Sequence, residues 1–153
     1  MQVFLCMKSE IKAYYQQLLQ DRMDVFQDMI TQLTDGAQND AKGSAGDKHE
    51  TALSMMHLEQ EKLAAKLQEV RQQKAIIDRM DPSVRHTRVA LGSLVEVSGL
   101  RLFIAAALPK ITLGDHTIMA VSPQAPLGSA LFGQTVGFST QINGKNYTIT
   151  AIW

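Results

Sequence analysis

The chain has 153 residues, of which 45% are hydrophobic and 20% charged, a composition typical of a folded globular protein rather than a disordered one. Its 15 basic and 15 acidic residues balance. This argues against strong, sequence-independent binding of the whole molecule to nucleic acid, which draws on an excess of Lys and Arg, and leaves a local basic patch open. Cys6 is the only cysteine, so no internal disulfide forms, and this suits a reducing compartment.

The opening stretch, MQVFLCM, is apolar but short. It has no basic region before it and no small-residue cleavage site after it, so we do not expect a signal peptide. No apolar run in the sequence approaches the roughly 20 residues that cross a bilayer. We therefore expect a cytoplasmic protein that has no membrane partner.

The first half of the chain has the pattern of two helices. Residues 9–79 contain no proline, and apolar residues recur there at steps of three and four. This predicts one helix over residues 9–35 and a second over residues 47–79. The small, polar and Gly-rich segment 35–46 between them has no periodicity, so we predict a loop there.

Each predicted helix carries a narrow apolar seam and a wide polar remainder, so the seam buries only one partner helix. In the second helix part of the seam repeats every seven residues, at Met56, Leu63, Val70 and Ile77. A connection of about ten residues lets the two helices fold back antiparallel. We therefore expect residues 1–80 to form a coiled-coil hairpin with a tip loop at about 35–48. At 1.5 Å per residue, each arm would be about 45 Å long.

The second half, residues 82–153, holds all four prolines and most of the Val, Ile, Thr and Gly. Asn143–Gly144 is a strong hairpin signal, and Pro126 suits the first turn of a short helix over residues 126–133. The chain is thus predicted to be α+β, with a linker at 81–88 and a small antiparallel sheet domain with one short helix over 89–153. Short β-rich runs predict the strands at 92–97, 100–105, 116–121, 135–142 and 146–153.

Two motifs give the chain a resemblance to a known family. Residues 46–52, GDKHETA, resemble the Gly-Asp-x-x-Glu-x-Ala pattern that bacterial Gre transcript-cleavage factors carry at the tip of a coiled coil. Residues 122–133, SPQAPLGSALFG, resemble the Ser-x-x-Ser-Pro-Leu-Gly-x-Ala-Leu-x-Gly stretch in the second domain of that family, with Ala125 in place of the second Ser. The order and length of the predicted domains also match, so the resemblance spans nearly the whole chain.

The resemblance implies a fold, a partner and a function. The second domain would have an FKBP-like fold and dock near the rim of the secondary channel of bacterial RNA polymerase, with Ser122, Pro123 and Pro126 in the docking loop. The coiled coil would enter the channel, where Asp47 and Glu50 would help hold a Mg²⁺ ion shared with the polymerase active site. The polymerase would then cut the displaced 3′ end of a backtracked nascent RNA. The chain would be a monomeric accessory factor rather than an enzyme, with no tightly bound cofactor.

The acid pair has two physical interpretations. Residues three apart on a helix have Cβ atoms about 5–6 Å apart on one face, so the carboxylates of Asp47 and Glu50 would point into one volume. Mg²⁺ prefers oxygen ligands and keeps several waters, so these acids would complete a site to which the polymerase adds its own carboxylates. The same spacing is that of a capping box, and both acids suit the positive end of the helix dipole. The spacing alone does not separate the two.

Two other functions are compatible with the same sequence. A regulator that binds the polymerase channel without promoting cleavage would need the docking loop and the hairpin, but not both acids. A coiled-coil adaptor with no polymerase role would need neither motif. The chain has no nucleophile triad, no phosphate-binding loop motif and no Cys/His cluster in its sequence, so we expect no catalysis by the isolated protein.

Overall fold

In the computed structural model, the backbone is described for residues 2–41 and 47–153, and the side chains for residues 3–36 and 50–153. The fold is α+β, as predicted: a long helical hairpin precedes a six-stranded, mostly antiparallel sheet with one short helix. None of the helices in this part of the chain is long and apolar enough to cross a membrane. The elements are α1 (Gln2–Ala41), α2 (Asp47–Asp78), β1 (Leu94–Val97), β2 (Leu100–Ile104), β3 (Ile111–Leu113), β4 (His116–Val121), α3 (Pro126–Leu131), β5 (Ser139–Ile142) and β6 (Lys145–Ile152).

Helix α1 is longer than predicted at both ends, beginning at Gln2 and continuing to Ala41. The prediction of a loop is therefore wrong for residues 35–41, while residues 42–46 lie outside the described part of the chain. Apolar periodicity marks only the part of a helix that packs against something. Asp35 and Gly36 are exposed, so this part of α1 has no apolar stripe from which a helix is recognised.

Residues 17–75 form one compact unit, which is the greater part of the helical hairpin. The seam predicted for α2 is buried at Leu63, Leu67 and Val70 and half-buried at Met56. Gln60, which interrupts that seam, donates a hydrogen bond from Nε2 to Thr34 Oγ1 of α1 at 2.7 Å. A polar residue in the seam is thus satisfied across the two helices, as a part-buried amide requires.

The second compact unit combines residues 1–16 with residues 76–153. Its sheet has the strand order β3-β4-β2-β1-β6-β5, in which β2 and β4 are parallel and the other neighbours antiparallel. The sheet is thus mostly antiparallel, as predicted, with one parallel pair that the prediction did not include. The parallel pair arises because the chain forms the short edge strand β3 between β2 and β4. Strand β3 runs antiparallel to β4, so β4 has the same direction as β2. Three residues, Ile-Thr-Leu, are too few for a recognisable strand pattern in the sequence.

Two tight turns set the strand pairing around β1 and β6. Asn143 and Gly144 have φ values of 53° and 78°, and they join β5 to β6 as the sequence predicts. Ser98 and Gly99, with φ values of 47° and 81°, make the corresponding turn between β1 and β2. Positive φ at both central residues is the type I′ geometry, whose twist matches that of the flanking strands.

The sheet is covered on both faces within this unit. On one face, Leu131 of α3 packs into a buried cluster with the inward side chains of β1, β2 and β6. On the other face, the Tyr15 ring of α1 stacks on Phe103 with centroids 6.2 Å apart, and its hydroxyl donates to the Pro109 carbonyl at 2.7 Å. Burial, followed by the influence of Tyr14, raises the pKa of Tyr15 to about 12. The cluster around Leu131 consists of Val89, Val95, Val97, Leu102, Ile104, Leu131, Ile149 and Ile152.

Two lysines on the first turns of α1 hold the segment that follows α2. Lys8 is 2% exposed, and its Nζ donates to the Val84 carbonyl at 2.7 Å. Lys12 Nζ donates to the carbonyls of Asp78 at 3.2 Å and Met80 at 2.6 Å. Desolvation lowers the pKa of Lys8, and the nearby charge of Asp81 opposes that effect. Lys8 thus bonds one main-chain carbonyl and Lys12 bonds two, which joins residues 78–84 to α1.

The folded protein is expected to lose stability as the pH falls from about 6.5 to 5, because of His86. Burial, and then the charge of Lys8, lower the pKa of His86, whose Nδ1 is buried without a hydrogen-bond partner among the described residues. In the unfolded chain the imidazole binds a proton near pH 6.5, whereas in the folded chain it does so only at lower pH. Stability is therefore complete above the unfolded pKa and falls below it. Hydrogen bonds from Ser83 lower the pKa of Asp81, so that carboxyl titrates below this window.

The measurement is the thermal midpoint of unfolding at pH 5, 6, 7 and 8. We expect the loss between pH 7 and pH 5 to be smaller in His86→Gln than in the wild type, and unchanged in His57→Gln, since His57 is exposed. Equal losses in the wild type and His86→Gln would contradict this assignment.

Candidate functional site

The tip acids lie at the start of α2. Asp47 is the first residue of that helix, but its side chain lies outside the described part of the chain. Glu50 is three residues further, about 4.5 Å along the helix axis, and its side chain is exposed. The structure thus places both residues in the first turn of one helix and leaves the carboxylate of Glu50 open to solvent.

Glu50 has the chemistry of a magnesium ligand rather than that of a complete site. Mg²⁺ takes oxygen donors and retains several waters, so a protein commonly holds it through one or two carboxylates. Among the side chains of residues 3–36 and 50–153, no group of three or more His, Cys, Asp or Glu residues lies close enough to hold a metal. Within that part of the chain, Glu50 thus offers a single carboxylate, which is exposed.

The burial of the residues that follow Glu50 on α2 reflects packing in the seam rather than a second set of metal ligands. Met56 is half-buried, whereas Met55 is 67% exposed. Met56 therefore belongs to the seam, as predicted, and Met55 lies outside it. His57 and Glu61 have helical spacing, but both are exposed on the polar face.

The predicted docking loop, residues 122–126, is a hydrogen-bonded turn in the other compact unit. Ser122 Oγ accepts the N–H of Gln124 at 3.1 Å and donates to its Oε1 at 2.6 Å. The carbonyl of Ser122 accepts the N–H of Ala125 at 3.0 Å. A serine that closes such a turn on its own backbone restricts the loop to few conformations.

Proline fixes the exit of this loop into α3. Ala125 is extended, with φ −66° and ψ 154°, which is the geometry that a following proline favours. Pro126 is exposed at the first turn of α3, where its missing N–H costs nothing. The structure thus brings Ser122, Pro123 and Pro126 together on one turn, with Pro123 half-buried.

Gly128 explains why the motif contains a glycine after Pro-Leu. It is buried in α3, and a Cβ at this position would meet the carbonyl oxygen of Ser122 at 2.0 Å. Only a residue without a side chain lets α3 approach the loop this closely. The glycine therefore serves close packing rather than a positive φ, and the loop at 122–126 is held directly against α3.

Sequence reasoning missed the contacts made by Lys8, Lys12 and Tyr15. The available signal was that Lys8 and Lys12 lie one helical turn apart and flank Ile11 and Tyr15 in the stripe. Lysines beside an apolar stripe are usually read as solvated. Here the structure shows that their ammonium groups bond main-chain carbonyls of residues 78–84.

Comparisons with known proteins give no assignment for this geometry. No model of a protein family matches the chain, and no curated protein matches it either.

Proposed function

We propose that this chain binds bacterial RNA polymerase and stimulates cleavage of backtracked nascent RNA. The helical hairpin would enter the secondary channel, and the sheet domain, FKBP-like by its resemblance to Gre factors, would dock at the channel rim through Ser122, Pro123 and Pro126. The observation that carries the proposal is the exposed carboxylate of Glu50 in the first turn of α2, within the Gly-Asp-x-x-Glu-x-Ala motif. The rigid turn at 122–126 supports the docking part of it.

The residues of this chain would act by position and charge. Glu50, with Asp47 beside it on the same helix, would present oxygen ligands to a Mg²⁺ ion of the polymerase active site. That ion would supply the positive charge needed to activate water and stabilise the leaving oxygen in phosphodiester hydrolysis. The seam of α1 and α2 would hold these acids in place on a regular helix. This matters because the carboxylates must lie within a fraction of an ångström of their productive position to assist the reaction. The polymerase performs the chemistry, and the chain is its accessory factor in the cytoplasm.

The test is a stalled, backtracked polymerase carrying end-labelled RNA in Mg²⁺ buffer, to which the full chain is added. Rapid shortening of the RNA from its 3′ end, beyond the intrinsic rate of the polymerase, is the expected result. Competition with a known cleavage factor without any shortening would replace the proposal with that of a channel-binding regulator. If the chain neither shortened the RNA nor competed with the known factor, the remaining candidate function would be that of a coiled-coil adaptor with no polymerase role.

A further inference from the structure

An exposed apolar patch lies beside α3, and it is formed by two segments that are bonded to each other. Val89 N–H donates to the Gln134 carbonyl at 2.9 Å, and Gly133 N–H donates to the Val89 carbonyl at 2.7 Å. These bonds hold the segment that contains Arg88 and Leu91 alongside the segment that contains Phe132 and Val136. We name these last four residues the Phe132 patch: Arg88, Leu91, Phe132 and Val136.

The apolar members of the patch are exposed although the backbone beneath them is fixed. Phe132 is 45% exposed, Val136 56% and Leu91 40%, whereas Leu131, directly before Phe132, and Val89, two residues before Leu91, are buried in the core. Val89 and Leu131 anchor the two segments in the core, while Arg88 and Phe132, which directly adjoin them, lie at the surface. Large apolar side chains that a rigid backbone presents to water are a common mark of a protein-binding surface.

The charge around the patch has one sign. Arg88 Nη1 donates to the Gly133 carbonyl at 3.3 Å, which places its guanidinium next to Phe132. No Asp or Glu occurs in residues 82–95 or 116–153, the two stretches from which the patch and α3 are built. The chain as a whole has no net charge, so this acid-free region is local. A partner surface that docks here would gain from carboxylates at its rim.

The patch also continues the docking loop. Pro126 begins α3 and Phe132 immediately follows its last residue, so six residues and about 9 Å of helix separate them. A partner that touches the loop at 122–126 would therefore reach the patch without a second, separate binding event.

We propose that the Phe132 patch is the apolar anchor by which this chain binds RNA polymerase, and that it faces an apolar polymerase surface edged with carboxylates. The inference rests on the proposed function and deepens it, because it assigns binding energy to residues outside the docking loop at 122–126. Phe132 supplies the buried area and Arg88 the charge contact. Aromatic and Arg side chains dominate the binding energy at protein interfaces, which fits this division.

The test is the dissociation constant of the full chain for core RNA polymerase, measured without a label by interferometry at two salt concentrations. We expect Phe132→Ala to weaken binding by about tenfold or more, as for an interface anchor. Arg88→Glu is expected to weaken it by a similar factor at low salt and less at high salt, because screening reduces the charge contact. Val136→Asp provides a second, independent change in the same patch, and thermal unfolding checks that each variant folds.

Two variants outside the patch serve as controls. Leu100→Ala removes an exposed leucine at the start of β2, and Lys110→Glu reverses an exposed cation before β3. Both are expected to bind within about twofold of the wild type, as changes outside an interface do.

The outcomes separate the inference from the proposed function. If the wild type binds polymerase and three folded variants bind it equally tightly, the patch is overturned and the proposed function stands. The three variants are Phe132→Ala, Arg88→Glu and Val136→Asp. No wild-type binding to polymerase would overturn both. The inference would also be overturned if the variants left polymerase binding unaffected and the patch instead mediated self-association, measured by sedimentation, or binding to RNA alone.

Discussion

Glu50→Gln is expected to slow RNA cleavage in backtracked complexes by about 100-fold, the loss typical of removing one group that stabilises transition-state charge. The amide keeps the shape of the side chain but removes its negative charge and weakens its bond to Mg²⁺. Because Glu50 is exposed, the stability of the chain and its affinity for polymerase should change little. The measurement is the single-turnover rate of RNA shortening at saturating protein, across a Mg²⁺ titration.

The matched control is Glu61→Gln, an identical change at an exposed position further along α2. It should leave the cleavage rate within about twofold of the wild type, as surface changes away from a site do. A normal rate with Glu50→Gln, under conditions where the wild type stimulates cleavage, would show that the carboxylate at position 50 serves the helix start rather than the metal.

Gly128→Ala is expected to destabilise the protein by about 1–3 kcal/mol, the usual cost of overpacking, and to weaken polymerase binding through the docking loop. The added Cβ would meet a main-chain oxygen, Ser122 O, at 2.0 Å, so no side-chain rotation relieves the contact. The loop and α3 must move apart, which displaces the turn that presents Pro126. Denaturant unfolding gives the stability, and the dissociation constant for core polymerase gives the docking effect.

Gly36→Ala is the matched control, since it makes the same substitution in α1, where a new Cβ would meet nothing within 4 Å. Replacing an unencumbered helical glycine by alanine should stabilise the protein by up to about 1 kcal/mol. If Gly128→Ala behaved like Gly36→Ala in both stability and binding, the close approach of α3 to the loop would not control docking.

The helical hairpin could be predicted because the apolar residues of its seam recur at regular helical spacing. The recurrence of Met56, Leu63 and Val70 reports burial on one helix face, and two of the three are buried and one half-buried in the structure. Asn143–Gly144 was equally informative, since few residue pairs favour positive φ at two successive positions. Patterns of this kind can be recognised in a sequence because the residues that determine the local structure lie within a few positions of one another.

Other features could not be predicted because they depend on contacts between distant segments. The helical continuation over residues 35–41 has no apolar stripe to mark it, and the parallel pairing of β2 with β4 follows from the return of the chain through β3. The bond from Lys8 to the Val84 carbonyl joins residues 76 positions apart. In the candidate site, the sequence indicates that Glu50 opens a helix, but the contact between Gly128 and Ser122 emerges only from the packed structure.

A positional crosslink tests whether the start of α2 reaches the RNA 3′ end inside the polymerase. A photoreactive amino acid at Ser54, one turn from Glu50 and exposed, is placed opposite labelled RNA in a backtracked complex. The same probe at Lys66, about 18 Å further along the helix, is the control. We expect a crosslink from position 54 to the 3′-terminal nucleotides and none from position 66. A stable complex in which position 54 gives no crosslink to the RNA would contradict this expectation.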